Sequence, residues 1–297
     1  MYSVVYILFS YILLQVGCGR LGLNIIKNAI AKEDEYPFIV RLERRILITY
    51  NNIFLAENNI HICTCTALSR SLLLTAGHCL NSVGFLRNIT DGLVAETVVR
   101  YGAGGGKMAK VVSVIHHPSF YVPQLEFRSN IGLVRTELIE LKLFAKLSAI
   151  DMDGIGNQLI TIAGYKATNK SVRLGKDRVL KASRLQLLRV VVKTRDIQPT
   201  STYPMACKAV HCLPTSTTCD GDSGGPLLHP SGVVGISTAS LEYIKGCSEV
   251  NKTASISMEE TITLTKPHIK WISDNIRRDD QLPDMALLYN ISQSIHT

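Results

Sequence analysis

The sequence predicts an all-β protein, and three observations carry that expectation. Short runs rich in Val, Ile, Leu and Thr, broken by Gly, Pro and Asn, recur from Tyr36 to about Ser257, the pattern of a barrel or sandwich. Only one stretch, about Lys266 to Ile276, has a clear helical period, with Ile269, Ile272 and Ile276 on one face beside Trp271. Hydrophobic residues make up 46% of the 297 positions and charged residues 19%, enough apolar material for a sizeable core. A disordered chain is thereby excluded, and no heptad or collagen-like period points to a fibre. The length suits one large domain or two ordinary ones.

In chain order, strands are expected at Phe38–Leu42, Ser71–Thr75, Lys110–Ile115, Leu159–Ala163, Leu188–Val192 and Val233–Thr238. The glycine run from Gly102 to Lys107 falls between strands and is followed by Met108. A phosphate loop needs Ser or Thr after its lysine and a helix beyond it, so the run reads as a hairpin turn. After the late helix, residues 278–297 are expected to form a polar tail.

The opening segment reads as an export signal. No charged residue precedes Arg20, and Val4 to Val16 is an almost wholly apolar run followed by Gly17, Cys18 and Gly19. That is an apolar core of signal length followed by small residues, too short to cross a bilayer comfortably. The expected division is therefore a signal peptide over 1–19 and a short propeptide over 20–24, with a secreted product. Sequons at Asn88, Asn169, Asn251 and Asn290 suit glycosylation outside the cell.

Lys and Arg number 32 against 24 Asp and Glu, a net charge of +8. The basic residues are scattered, as at Arg44–Arg45, Lys176–Arg178 and Arg277–Arg278, with no aromatic-laced stripe. They read as a solvated surface open to acidic glycans rather than a nucleic-acid face. No membrane contact is expected once the signal has been removed.

Eight cysteines are present: Cys18, Cys63, Cys65, Cys79, Cys207, Cys212, Cys219 and Cys247. With Cys18 leaving at the signal, an odd number remains, so one thiol is free or pairs with another chain. Disulfides are the default in an oxidising compartment. His61, Cys63, Cys65, His78 and Cys79 could also be read as a zinc cluster, but their spacing matches no standard finger. No metal and no cofactor is expected.

Chemistry concentrates in two motifs. In Cys219-Asp-Gly-Asp-Ser-Gly-Gly-Pro226 a serine flanked by glycines can sit on a tight turn with its hydroxyl exposed. Gly221 lets backbone N–H groups converge on one point, as an oxyanion requires, and Asp222 adds a carboxylate. In Thr75-Ala-Gly-His78-Cys79 an imidazole after small residues is a candidate base for that serine. A lone histidine is more often structural; paired with the serine motif, it is not.

With both motifs in the order His then Ser, the chain resembles the chymotrypsin-like (S1) serine peptidases from Ile25 to about Arg277. Cys63 and Cys79, 16 positions apart, match the family's histidine-loop disulfide, and Cys219 with Cys247 matches its pocket disulfide. His117-Pro118 and the Trp271-Ile272 helix also fall where the family puts them. The resemblance implies two six-stranded antiparallel Greek-key barrels, a C-terminal helix and a site in the cleft, with the peptidase-like domain over 25–277. Cys207 resembles half of a further bridge whose upstream partner is missing, leaving Cys212 or Cys65 to pair with it.

By the same resemblance, His78 takes the proton of Ser223, and the N–H groups of Gly221 and Ser223 hold the oxyanion. Ile25, once freed, pairs with Asp222. The third triad member should be an Asp, but the matching segment reads Ser129-Asn130-Ile131-Gly132-Leu133. An amide carries no charge, and its NH2 can hold the histidine in the wrong tautomer. No family motif places Asp91, Asp151 or Asp153 to substitute.

Two further departures agree. Asn24, not Arg or Lys, precedes Ile25, and Lys27-Asn28 replaces the family's Gly-Gly; cutting after Arg20 leaves four surplus residues. Thr238-Ala239-Ser240 replaces the Ser-Trp-Gly wall, removing the aromatic floor under a substrate. Thr217 at the base of the specificity pocket, with Ser240 and Ala254 on its walls, offers no charge for Lys or Arg. The expectation is a catalytically impaired homologue acting through a protein substrate, inhibitor or protease partner, as decoy or cofactor. The alternative is an active endopeptidase of non-tryptic specificity using His78 and Ser223.

Overall fold

Among the described residues, apolar residues at strand spacing form fourteen strands, numbered in chain order, after which comes one long helix. The computed structural model describes residues 29–32, 34–51, 53–84, 87–90, 92–120, 129–150, 152–156, 158–165, 185–194, 207–210, 223–240 and 259–280. A two-residue β1 (Ala29–Ile30) precedes the first barrel. That barrel consists of β2 (Ile39–Tyr50), β3 (Ile53–Ala67), β4 (Leu72–Thr75), β6 (Leu93–Tyr101), β7 (Lys107–His116) and β8 (Gly132–Thr136), with the short β5 (Arg87–Thr90) on the outside of β6. The order β2-β3-β4-β8-β7-β6 closes on itself through antiparallel β2–β6 pairing.

The second barrel repeats the plan. It contains β9 (Leu159–Tyr165), β10 (Leu185–Thr194), β11 (Cys207–Val210), β12 (Pro226–His229), β13 (Gly232–Ser240) and β14 (Glu259–Leu264). Here the order β10-β11-β14-β13-β12-β9 closes through β9–β10, and β1 is appended to β10. A single-turn helix α1 (Met152–Ile155) lies in the connection between the barrels. Each barrel is thus six-stranded and antiparallel, as expected, with one short extra strand. Closure removes the open edges that a flat sheet of this length would carry.

Two apolar cores result. Val40, Leu42, Leu72, Leu73, Leu74, Ile131 and Leu133 fill the first, and Ile155, Ile160, Ile162, Leu227, Val234 and Ile262 the second. Burying each such side chain contributes about 1.5–3 kcal/mol. Ile236 of β13 joins the first core, so the barrels are packed together through shared apolar contacts.

The helix α2 (Ile269–Asp280) follows a 3-10 turn over Lys266–His268 that carries Pro267. It begins three residues later than the periodicity suggested, because its first turn, Lys266–His268, is 3-10 rather than α. Trp271, Ile272 and Ile276 pack on the first barrel. Asp279 anchors the far end, accepting hydrogen bonds from Arg135 Nε at 2.7 Å, from Ser69 Oγ at 3.4 Å and from Ser71 Oγ. At the near end His117 lies edge-on to Trp271, with ring centroids 4.8 Å apart, and its Nε2 is 3.2 Å from His268 Nδ1. Among the described residues no helix is long and apolar enough to cross a membrane.

The glycine run is a turn between β6 and β7, with Gly102, Gly104 and Gly105 at positive φ. One element was not anticipated: the long hairpin of β2 and β3, in register from Ile39↔Thr66 to Tyr50↔Ile53. Glu57, Asn58 and Asn59 interrupt its apolar pattern. Glu57 belongs to an ion-pair ladder across the strands, in which Arg45 and Arg100 both bind it and also bind Glu96 and Glu43 respectively.

Candidate active site

His78 lies on the 3-10 turn Gly77–Ser82 that follows β4. The neighbouring Cys79 is bonded to Cys63 of β3, with Cα atoms 6.1 Å apart, so the turn is stapled to the barrel wall. This settles the expected pairing, and it also removes the zinc reading. Cys63, His78 and Cys79 do lie close together, but both sulfurs are committed to the disulfide. Cys65 is a free, fully buried thiol, so it is not the partner of Cys207.

Antiparallel pairing of β4 with β8 sets Thr75 opposite Gly132. The turn after β4 therefore lies beside the residues that lead into β8. Gly132 permits the close approach, since a Cβ there would fall 2.4 Å from Leu80 Cδ1 and 3.4 Å from the Gly77 Cα. Ser129 takes φ of 47°, left-handed for a non-glycine residue, and Asn130 follows it, buried at 3% exposure.

The Asn130 side chain meets His78 twice. Its Oδ1 accepts the His78 backbone N–H at 2.9 Å. At the ring, His78 Nδ1 is 3.1 Å from Asn130 Nδ2 and 3.2 Å from Oδ1. Asn130 Nδ2 also donates to the Thr238 carbonyl at 3.5 Å. A backbone N–H can only donate and a carbonyl can only accept, so these two partners orient the amide. One hydrogen of the NH2 group then faces His78 Nδ1. Ring Nδ1 lies within reach of both ends of the amide: it accepts from Nδ2 when the ring proton is on Nε2, and it donates to Oδ1 when the proton is on Nδ1. His78 Nε2 is 3.8 Å from Cys79 Sγ. Burial pushes the His78 pKa down, and the hydrogen bond with Asn130 opposes this more weakly.

Ser223 comes from the second barrel, on the turn that enters β12. Its carbonyl accepts the Thr64 N–H at 2.9 Å, which fastens the serine turn to β3 of the first barrel. Gly224 takes φ of 83°, and a Cβ there would fall 2.2 Å from Thr75 Oγ1 and 2.3 Å from the Thr64 carbonyl. Glycine alone fits both the conformation and the space. Gly224 N–H donates to Ser237 O at 2.7 Å, and Ser237 N–H donates to Gly225 O at 2.8 Å. The turn bearing Ser223 therefore packs on Thr75 and Ala76, the residues just before Gly77 and His78. Both expected motifs converge on one place between the barrels.

Residues 25–262 match the family model described as Trypsin. This chain belongs to the trypsin family. Among solved structures it is similar to one titled HL collagenase, 16% identical, with a TM-score of 0.55 over 85% of this chain and 98% of that one. That likeness concerns the fold, and it agrees with the two closed barrels. In this trypsin-family chain, the residue beside the histidine is an amide.

Several expected site residues lie outside the described residues: Ile25, Thr217, Gly221, Asp222 and Ala254, the pair Cys219 and Cys247, and Asn169, Asn251 and Asn290. Asn88 is on β5 and Ser240 ends β13, but their side chains are likewise outside. Sequence reasoning missed two participants. The Thr238 carbonyl orients the Asn130 amide, and a backbone carbonyl leaves no trace in residue identity. His268 contacts His117, and its place three residues before Trp271 was the available signal.

Proposed function

We propose that this chain is a secreted trypsin-family homologue whose peptidase chemistry is strongly impaired, and that it acts by binding proteins. One observation carries the reading: the Asn130 NH2 group lies 3.1 Å from His78 Nδ1, where a triad needs a carboxylate. A serine becomes nucleophilic when a neutral imidazole takes its proton, and the imidazolium that forms must then be stabilised. A carboxylate supports both steps, by holding the proton on Nδ1 and by its negative charge. The amide secures neither. It can hold the proton on Nε2, the nitrogen that should be the base, as well as on Nδ1, and it offers no charge. In a serine peptidase triad this Asp-to-Asn change lowers kcat about 10⁴-fold, or about 5 kcal/mol of barrier.

The departures at activation and substrate floor support the same reading. Asn24 precedes Ile25 where a basic residue would direct cleavage, and Ala239 stands in place of the wall tryptophan. The Ile25–Asp222 pair and the Gly221–Ser223 oxyanion hole are carried over from the family motif. So is a pocket of Thr217, Ser240 and Ala254 that takes a small or medium uncharged side chain. Export rests on the apolar run from Val4 to Val16, with 1–19 as signal, 20–24 as propeptide, 25–277 as the peptidase-like domain and 278–297 as tail. Partners of this class are inhibitors, proteases or protein substrates, and acidic glycans suit the +8 charge.

The retained His78, Ser223 and Gly224 geometry favours a second reading, an active non-tryptic endopeptidase. Peptide hydrolysis by protein beginning at Ile25, against a Ser223→Ala control, separates the two. Impairment predicts turnover at or near the control; serine-dependent turnover at ordinary family rates supports the second reading.

A further inference from the structure

The long hairpin ends in an apolar ribbon that the catalytic reading does not use. Tyr50, Ile53, Phe54, Leu55 and Ile60 are five of the nine exposed large apolar side chains among the described residues, each 48–67% open. No charged residue occurs between Arg45 and Glu57, and Glu57 is already paired with Arg45 and Arg100. On its inner side this part of β3 pairs with β2. On its outer side β4 reaches only Thr66 and Ala67, so among the described residues no strand covers the edge from Ile53 to Ile60. Natural sheets guard such an edge with lysine, proline, a bulge or a covering element. Proline and lysine are both missing from this stretch, and the guard present is a register shift that leaves Leu55 between the Ile48↔Ala56 and Thr49↔Phe54 pairs.

We propose that this edge is a self-association surface, on which β3 of one molecule pairs antiparallel with β3 of a second copy. A two-fold axis normal to the sheet brings the edge against itself, so each copy supplies the extended strand, apolar and uncharged from Ile53 to Ala56, that the other lacks. Roughly 100 Å² remains open on each of the five side chains. Covering them in both copies removes at most about 1,000 Å² from water, the size of a weak or transient interface, and the pairing satisfies the edge N–H and C=O groups as well. A lipid surface fits less well, because those backbone groups would enter hydrocarbon without partners. The sheet order β3-β2-β6-β5 sets the Asn88 sequon three strands away from the edge, clear of the second copy.

Sedimentation equilibrium on the full secreted chain, with Leu55→Lys and Phe54→Lys variants, tests this. The expected result is a reversible dimer with a micromolar dissociation constant, weakened at least tenfold by either variant while circular dichroism and melting are unchanged. Amide hydrogen exchange then separates strand pairing from side-chain contact: N–H groups within Ile53–Ile60 should gain protection as concentration rises. A monomer at 100 µM, a dimer indifferent to both lysines, a dimer without that protection, or a monomer that sediments with anionic vesicles overturns the proposal. Ser223→Ala leaves the dimer intact, so a mistaken reading of the catalytic site does not affect this result.

Discussion

Asn130 and His78 are joined at two points, through Oδ1 to the histidine backbone N–H at 2.9 Å and through the amide end to ring Nδ1 at 3.1 Å. The first contact fixes the orientation of the amide, which leaves ring Nδ1 facing both Nδ2 at 3.1 Å and Oδ1 at 3.2 Å. Nitrogen-15 chemical shifts of the His78 ring distinguish the two tautomers, and the impaired reading predicts Nε2–H at neutral pH. In Asn130→Asp the proton should move to Nδ1. An Nδ1–H ring in the unmodified protein, donating to Asn130 Oδ1, would count against impairment through the tautomer.

Gly224 sits at φ 83° with the Thr64 carbonyl and Thr75 hydroxyl where a Cβ would be. Gly224→Ala has to strain the backbone and displace a neighbouring main-chain oxygen at once. A loss of about 2–4 kcal/mol is expected, measured by urea unfolding, with the serine turn loosened from the first barrel. A change below about 0.5 kcal/mol would mean that the two barrels are not held at this turn.

Asp279 ties the end of α2 to β8 through Arg135 and is 8% exposed. Removing it leaves Arg135 partly buried without that carboxylate, and Ser69 and Ser71 lose their acceptor. Asp279→Ala is expected to cost roughly 3 kcal/mol. The double change with Arg135→Met should recover part of that loss, and a double-mutant cycle checks it.

His268 is buried beside His117, and burial pushes its pKa down from 6.5 to about 4, with the neighbouring imidazole adding to the effect. His117 is lowered by burial as well. Because the folded values lie below the unfolded ones, the unfolded chain binds these protons first as pH falls. Stability is therefore full above about pH 6.5 and drops between there and pH 4, by up to about 3 kcal/mol for His268. His268→Leu should flatten that part of the profile. A profile unchanged by the substitution would show that His268 does not carry it.

Cys65 is fully buried, and burial pushes its thiol up to about 12. In native protein it should resist alkylation by iodoacetamide at pH 8 and react once the chain is unfolded. Labelling of the native protein, located by mass spectrometry, is the check.

The fold was legible because strand runs, turn residues and two short motifs all pointed the same way. His78 and Ser223 could be read from their motifs, and the Cys63–Cys79 bridge from the family resemblance that those motifs carry. Asn130 could be found because the segment around it keeps its apolar neighbours Ile131 and Leu133, both buried in the first core. What could not be read was tertiary. The length of the β2–β3 hairpin was hidden because Glu57 and Asn59 look like loop residues until Arg45 and Arg100 come across from neighbouring strands to bind them. The role of Thr238 belongs to its carbonyl, which every residue has.

The central claim is that the amide at position 130 limits catalysis. Its most direct test is peptide hydrolysis by Asn130→Asp beside the unmodified protein, both beginning at Ile25 and each with Ser223→Ala in the same background. The account predicts a rise in kcat/KM of about 100-fold or more for Asn130→Asp, abolished by Ser223→Ala. An unmodified protein that already turns over at ordinary family rates, or a variant no faster than its parent, would contradict it.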